Sequence, residues 1–154
     1  MRIILTKLIL GVSITAIGAL AADNTIGTWK LNMEKSKFSP AVPVKSLTMT
    51  REASDGGLKV TMTGEQADGT AINGSYTAKY DGKEYSVTGA PYDTIAMKQV
   101  NANILTFTQK KKGGKYNVTG RAVVSKNGKT ATSTFKGTNA QGQPYSATMV
   151  YDKQ

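Results

Sequence analysis

The chain has 154 residues, 20 Lys+Arg against 10 Asp+Glu for a net charge of +10, and neither Cys nor His. Those two absences exclude disulfides, Ser-His-Asp and Cys-His nucleophiles, haem held by a proximal His, and metal centres built on His or Cys. No calcium-loop pattern and no glycine-rich phosphate loop occurs either, so neither catalysis nor a metal or cofactor is expected.

Residues 1–22 read as a secretory leader. Arg2 and Lys7 precede an apolar stretch from Leu8 to Leu20, and Ala19-Leu20-Ala21 offers the small residues a signal peptidase needs. The stretch is too short and too Gly-rich for a membrane anchor. Cleavage near Ala21 or Ala22 leaves about 133 residues, which is one domain's worth, and a charge of about +8. Export without Cys points to a bacterial periplasmic or secreted protein.

From residue 23 to 154 one domain of about ten strands is expected. In chain order these are Thr25–Met33, Lys45–Ala53, Leu58–Glu65, Ala71–Tyr80, Lys83–Thr88, Thr94–Val100, Ile104–Lys110, Lys115–Ser125, Thr130–Gly137 and Pro144–Asp152. Apolar residues alternate with Thr, Lys, Ser and Asn in several of them, as in Leu58/Val60/Met62 and Tyr116/Val118/Gly120/Ala122/Val124. One face is dry and the other wet. The turns keep time: Asp55-Gly56, Asp68-Gly69 and Asp81-Gly82 are 13 residues apart, and Gly113-Gly114, Asn127-Gly128 and Gln141-Gly142 are spaced by 14. Tight hairpin turns need a positive φ, which Gly takes without steric penalty. A meander this long must close or leave a bare edge, which predicts an all-β, antiparallel, up-and-down barrel of eight to ten strands. The stretch from Glu34 to Val44 carries Pro40 and Pro43 and is expected to be irregular.

Gly27-Thr28-Trp29-Lys30-Leu31 opens the first strand, and Thr148-Met149-Val150-Tyr151-Asp152-Lys153 closes the last. This pairing resembles the calycin pattern of lipocalins and intracellular fatty-acid-binding proteins. The resemblance implies a barrel plugged at one end by Gly27 and Trp29, with a basic residue of the last strand, here Lys153, against the indole. In the fatty-acid-binding branch it also implies a carboxylate clamp. Of that clamp, the Arg on the last strand falls on Met149, Tyr151 matches the companion Tyr, and Arg121 falls near a second interior Arg. Plain alternation puts Arg121 on the wet face, and only a bulge near Gly120 turns it inward. The family's two-helix lid has no counterpart in a segment with two prolines. An indole that closes a barrel buries about 150–250 Å², worth at most about 4–6 kcal/mol, so Trp29 is read as a structural plug.

Met33, Met49, Met62, Met97 and Met149 fall on five different strands in phase with the apolar residues. Thioethers are flexible and polarisable, and suit a surface that accepts variable apolar shapes. With Tyr76, Phe107, Tyr116, Arg121 and Tyr151 they form the candidate lining of an interior site. Plain core packing explains the same pattern, and an empty space of several hundred Å³ is what separates the two. The first reading is an exported monomer holding a small hydrophobic ligand inside its barrel, entering near Glu34–Val44. The alternative is a filled barrel that acts as a protein- or glycan-interaction module through its basic outer surface. Nucleic acid is not an expected partner, because the basic residues after the leader are Lys except for Arg51 and Arg121. Stable membrane insertion is not expected, and Lys110-Lys111-Lys112 with Lys115 offers at most weak contact with anionic surfaces.

Overall fold

A computed structural model describes residues 22–42 and 44–154; the expected leader, residues 1–22, lies outside the described residues except for Ala22, as does Pro43. Ten strands follow in chain order: β1 Gly27–Ser39, β2 Val44–Ser54, β3 Gly57–Gln66, β4 Ala71–Lys79, β5 Glu84–Thr88, β6 Thr94–Asn101, β7 Ile104–Lys110, β8 Asn117–Val124, β9 Thr130–Thr138 and β10 Pro144–Lys153. Each pairs antiparallel with its neighbour in sequence, and β1 pairs with both β2 and β10. The barrel is closed and none of the described residues is helical. The turn rhythm is the cause: Gly56, Gly69, Gly82, Gly113, Gly128 and Gly142 all take φ between 66° and 85°, where a Cβ would clash with the following carbonyl.

Register shows which side chains share the inside. Trp29 stands opposite Met49, Met49 opposite Met62, Val60 opposite Tyr76, and Met97 opposite Phe107. The inner row continues from Phe107 to Gly120, Phe135 and Ala147. Trp29, Leu58, Val60, Ile95, Val118 and Tyr151 are buried almost completely. Trp29 is 1 % exposed. Its Nε1 donates to the carbonyl of Thr25 at 2.8 Å, and Lys153 Nζ lies 5.1 Å from the ring centroid. Gly27 leaves room for that lysine: a Cβ there would sit 2.7 Å from its Cε. Cation, indole and glycine therefore pack as one unit.

One expectation is corrected. The stretch after Met33 stays in the sheet: β1 runs to Ser39, with its pairing to β10 slipping between Asn32 and Lys37. Ser36 makes this slip possible, because its Oγ accepts from the Val150 amide at 2.9 Å and donates to the Asn32 carbonyl at 2.7 Å. The side chain satisfies backbone groups that the extra residues would otherwise leave unpaired.

Candidate functional site

The inner face of β2 reads Leu47, Met49, Arg51 and Ala53, since Met49 faces Trp29 and alternation carries inward every second residue. Arg51 is consequently inside the barrel, paired in register with Gly27 and Val60 and only 7 % exposed. Its Nε donates to Met49 Sδ at 3.2 Å, a weak acceptor. Its Nη1 has no hydrogen-bond partner, and among the described residues no carboxylate forms an ion pair with it. The guanidinium is buried with no protein hydrogen bond at Nη1 and no ion pair among the described residues.

Around it stand Tyr76, Tyr92, Gln109, Ser133 and Tyr151, with Met97 and Phe107 completing an enclosed space of about 30 Å³. That volume admits one or two waters. Burial pushes the phenols of Tyr76, Tyr92 and Tyr151 above the usual tyrosine range, while Arg51 pulls Tyr76 and Tyr151 back toward it. At neutral pH these phenols are therefore neutral. They can donate or accept a hydrogen bond, and none supplies the missing negative charge. Tyr92 stacks on Tyr116 with centroids 5.8 Å apart, and Tyr116 donates to Gln109 Oε1 at 3.2 Å, so this wall is held by its own contacts.

The candidate residues divide. Met49, Tyr76, Met97, Phe107 and Tyr151 meet around the enclosed space. Met62, Met149 and Tyr116 belong to the barrel interior beside it, with Tyr151 donating to Met149 Sδ at 3.5 Å. Met33 does not join them: it lies on the slipped part of β1 and is 37 % exposed. Arg121 does not either. No slip in register occurs along β8, so Arg121 stays on the outer face between Thr106 and Thr134. Gly120 makes no bulge; it makes room. A Cβ at that position would be 2.3 Å from Phe107 Cε2 and Cζ, where Phe107 tilts against Phe135 at 5.3 Å. The space beside Arg51, about 30 Å³, is well short of a cavity of several hundred Å³.

Arg51, Tyr92, Gln109 and Ser133 were absent from the sequence-derived set. Arg51 stands two residues after Met49 and Gln109 two after Phe107, so the strand period placed both inward. The general preference of Arg and Gln for the surface masked that signal.

No family model matches the chain, and no curated protein matches it. The closed ten-stranded meander is compatible with a calycin-like fold and with a ligand bound inside the barrel.

Proposed function

We propose that this is an exported, monomeric, non-catalytic binding protein of calycin type that takes a small hydrophobic molecule with an anionic head into its barrel. Arg51 carries the reading. A buried charge left without its partner destabilises a protein by about 3–5 kcal/mol, and such a group persists where something outside the chain completes it. A carboxylate fits the guanidinium fork in shape and charge, with Tyr76, Tyr151, Gln109 and Ser133 within the same lining to meet its remaining lone pairs. The enclosed 30 Å³ accepts only the head. The apolar body takes space from Met49 and Met97, whose unbranched thioethers change rotamer at low cost.

The test uses two probes of equal chain length and opposite charge, octanoate and octylamine, titrated calorimetrically into protein refolded from guanidinium to strip carried-over compounds. Octanoate binds, octylamine does not, and Arg51→Met removes octanoate binding. Octanoate binding that survives Arg51→Met, or no binding of either probe, overturns the reading. The small interior volume also favours a second reading, in which the packed barrel works through its outside.

A further inference from the structure

The outer face of strands β6 to β10, together with the end of β1, forms an open groove of about 780 Å³. Its lining shares only Phe107 and Phe135 with that of the Arg51 site, and the inference drawn from its outward side chains stands independently of the interior. Pairing aligns its side chains into rows that run across the strands. One row reads Lys98, Thr106, Arg121, Thr134, Thr148 and Lys37, each directly opposite the next. The neighbouring row carries Thr108, Thr119, Lys136 and Ser146 in the same continuous register. With strands about 4.8 Å apart, five intervals make the first row about 24 Å long.

The charges in this groove have one sign. Lys37, Lys98, Arg121 and Lys136 line it, and no Asp or Glu does. Some lysines elsewhere are matched, as Lys45 with Glu65, Lys79 with Asp55, Lys110 with Glu84 and Lys111 with Asp93, while others, such as Lys83 and Lys129, also form no ion pair among the described residues; what sets the groove apart is that its charges are all of one sign. Even the hairpin tip, the densest basic run in the sequence, is partly neutralised in this way. Among the described residues the four cations of the groove form no ion pair. Between them stand hydroxyls on the sheet; Thr119 and Thr134 donate to the carbonyls of Lys136 and Arg121 and keep their lone pairs to accept, while Thr106, Thr108 and Thr148 can donate and accept.

We propose that this groove binds a linear acidic polysaccharide, such as a chain of uronic acids, laid across the strands. Cations spaced along a row match carboxylates that recur along the chain, and the threonine hydroxyls between them match the sugar hydroxyls. Other polyanions fit less well. Phe38, Phe107 and Phe135 stand in the inner row of their strands, Phe38 and Phe107 against the core and Phe135 against the Phe107 ring, so they do not form an outward platform for stacking nucleobases. The recessed lining carries no exposed large apolar side chain to enter a bilayer.

Polygalacturonate of defined length is the probe, with the full mature protein at about physiological ionic strength. Lys98→Gln/Arg121→Gln/Lys136→Gln lowers affinity about ten- to hundredfold, the sum expected of three exposed pairs. Lys112→Gln/Lys115→Gln/Lys126→Gln removes the same charge outside the groove and changes affinity less than about threefold, because exposed charges beyond a Debye length are screened. Both variants are checked for an unchanged far-UV circular dichroism spectrum and thermal midpoint. Thr106→Val/Thr134→Val keeps every charge, and removes the preference for polygalacturonate over polyglutamate of equal charge. The proposal is overturned if the second triple variant loses as much affinity as the first. It is overturned equally if oligo-dT or phosphatidylglycerol vesicles bind more tightly than polygalacturonate.

Discussion

Replacing Arg51 by Met should make the ligand-free barrel more stable. The substitution keeps an unbranched stem of similar length among Met49, Tyr76 and Tyr151 and removes the charge. What is lost is one weak contact, Nε to Met49 Sδ at 3.2 Å. What is gained is relief of a guanidinium held 7 % exposed, with Nη1 unpartnered and no carboxylate beside it. Exchanging buried ionic groups for well-packed apolar ones of similar volume stabilises by about 1–4 kcal/mol. For a domain of this size each kcal/mol moves Tm by about 3 °C, so the expected rise is about 3–12 °C. Differential scanning calorimetry at pH 7 on stripped protein reads it, and urea unfolding with an unchanged slope confirms that stability moved and the denatured state did not. Arg51→Lys retains the charge and should give no such gain. A fall in Tm of more than about 3 °C for Arg51→Met would show that the guanidinium supports the fold, and the argument for a missing anionic partner would collapse.

Three further outcomes test the packing that holds the site. Tyr92 and Tyr151 are buried and their phenols are held above the ordinary range by desolvation. Above about pH 10 the unfolded chain releases these protons while the folded chain keeps them, so stability is intact below pH 10 and falls by about 3 kcal/mol per pH unit beyond it. Tyrosine ionisation at 295 nm should then coincide with loss of the β-sheet dichroism; ionisation completed while the sheet persists contradicts the burial. Gly120→Ala puts a methyl 2.3 Å from the Phe107 ring and 3.0 Å from the Thr134 carbonyl, which should cost about 1–3 kcal/mol in urea unfolding, and a neutral result would mean Phe107 moves freely. Trp29→Ala removes the buried indole and strands the Thr25 carbonyl. A loss of about 3–5 kcal/mol is expected, and a loss below 1 kcal/mol would show that the indole is not the plug.

The barrel was legible because its turns are chemically obligatory. Each Asp-Gly, Asn-Gly or Gly-Gly pair sits where φ must be positive, and the runs between them alternate, so strand count and sequential pairing followed from local rules. The segment after Met33 was not legible for the opposite reason. Two prolines read as a break, while the feature that keeps β1 in the sheet is a hydroxyl, Ser36, bonded to a residue more than a hundred positions away. Propensity carries no record of so distant a partner. Arg121 shows the local rule outweighing the resemblance: unbroken alternation along β8 keeps it outside, and Gly120 answers to the Phe107 ring instead of to a bulge.

The analogy placed Arg121 inside and gave Arg51 no place, and one register accounts for where both lie. Arg51 is carried inward by the period that buries Leu47 and Met49, and Arg121 outward by the period that buries Ala122 and Val124. Neither could turn without moving its whole strand by one residue, which would expose every apolar partner on that strand. The energy that fixes their orientation therefore comes from the neighbouring core residues and not from the arginines themselves. This is why a strand can hold a bare cation in the interior at a cost of a few kcal/mol, and why Arg51→Met can raise stability without disturbing the register that both binding surfaces share.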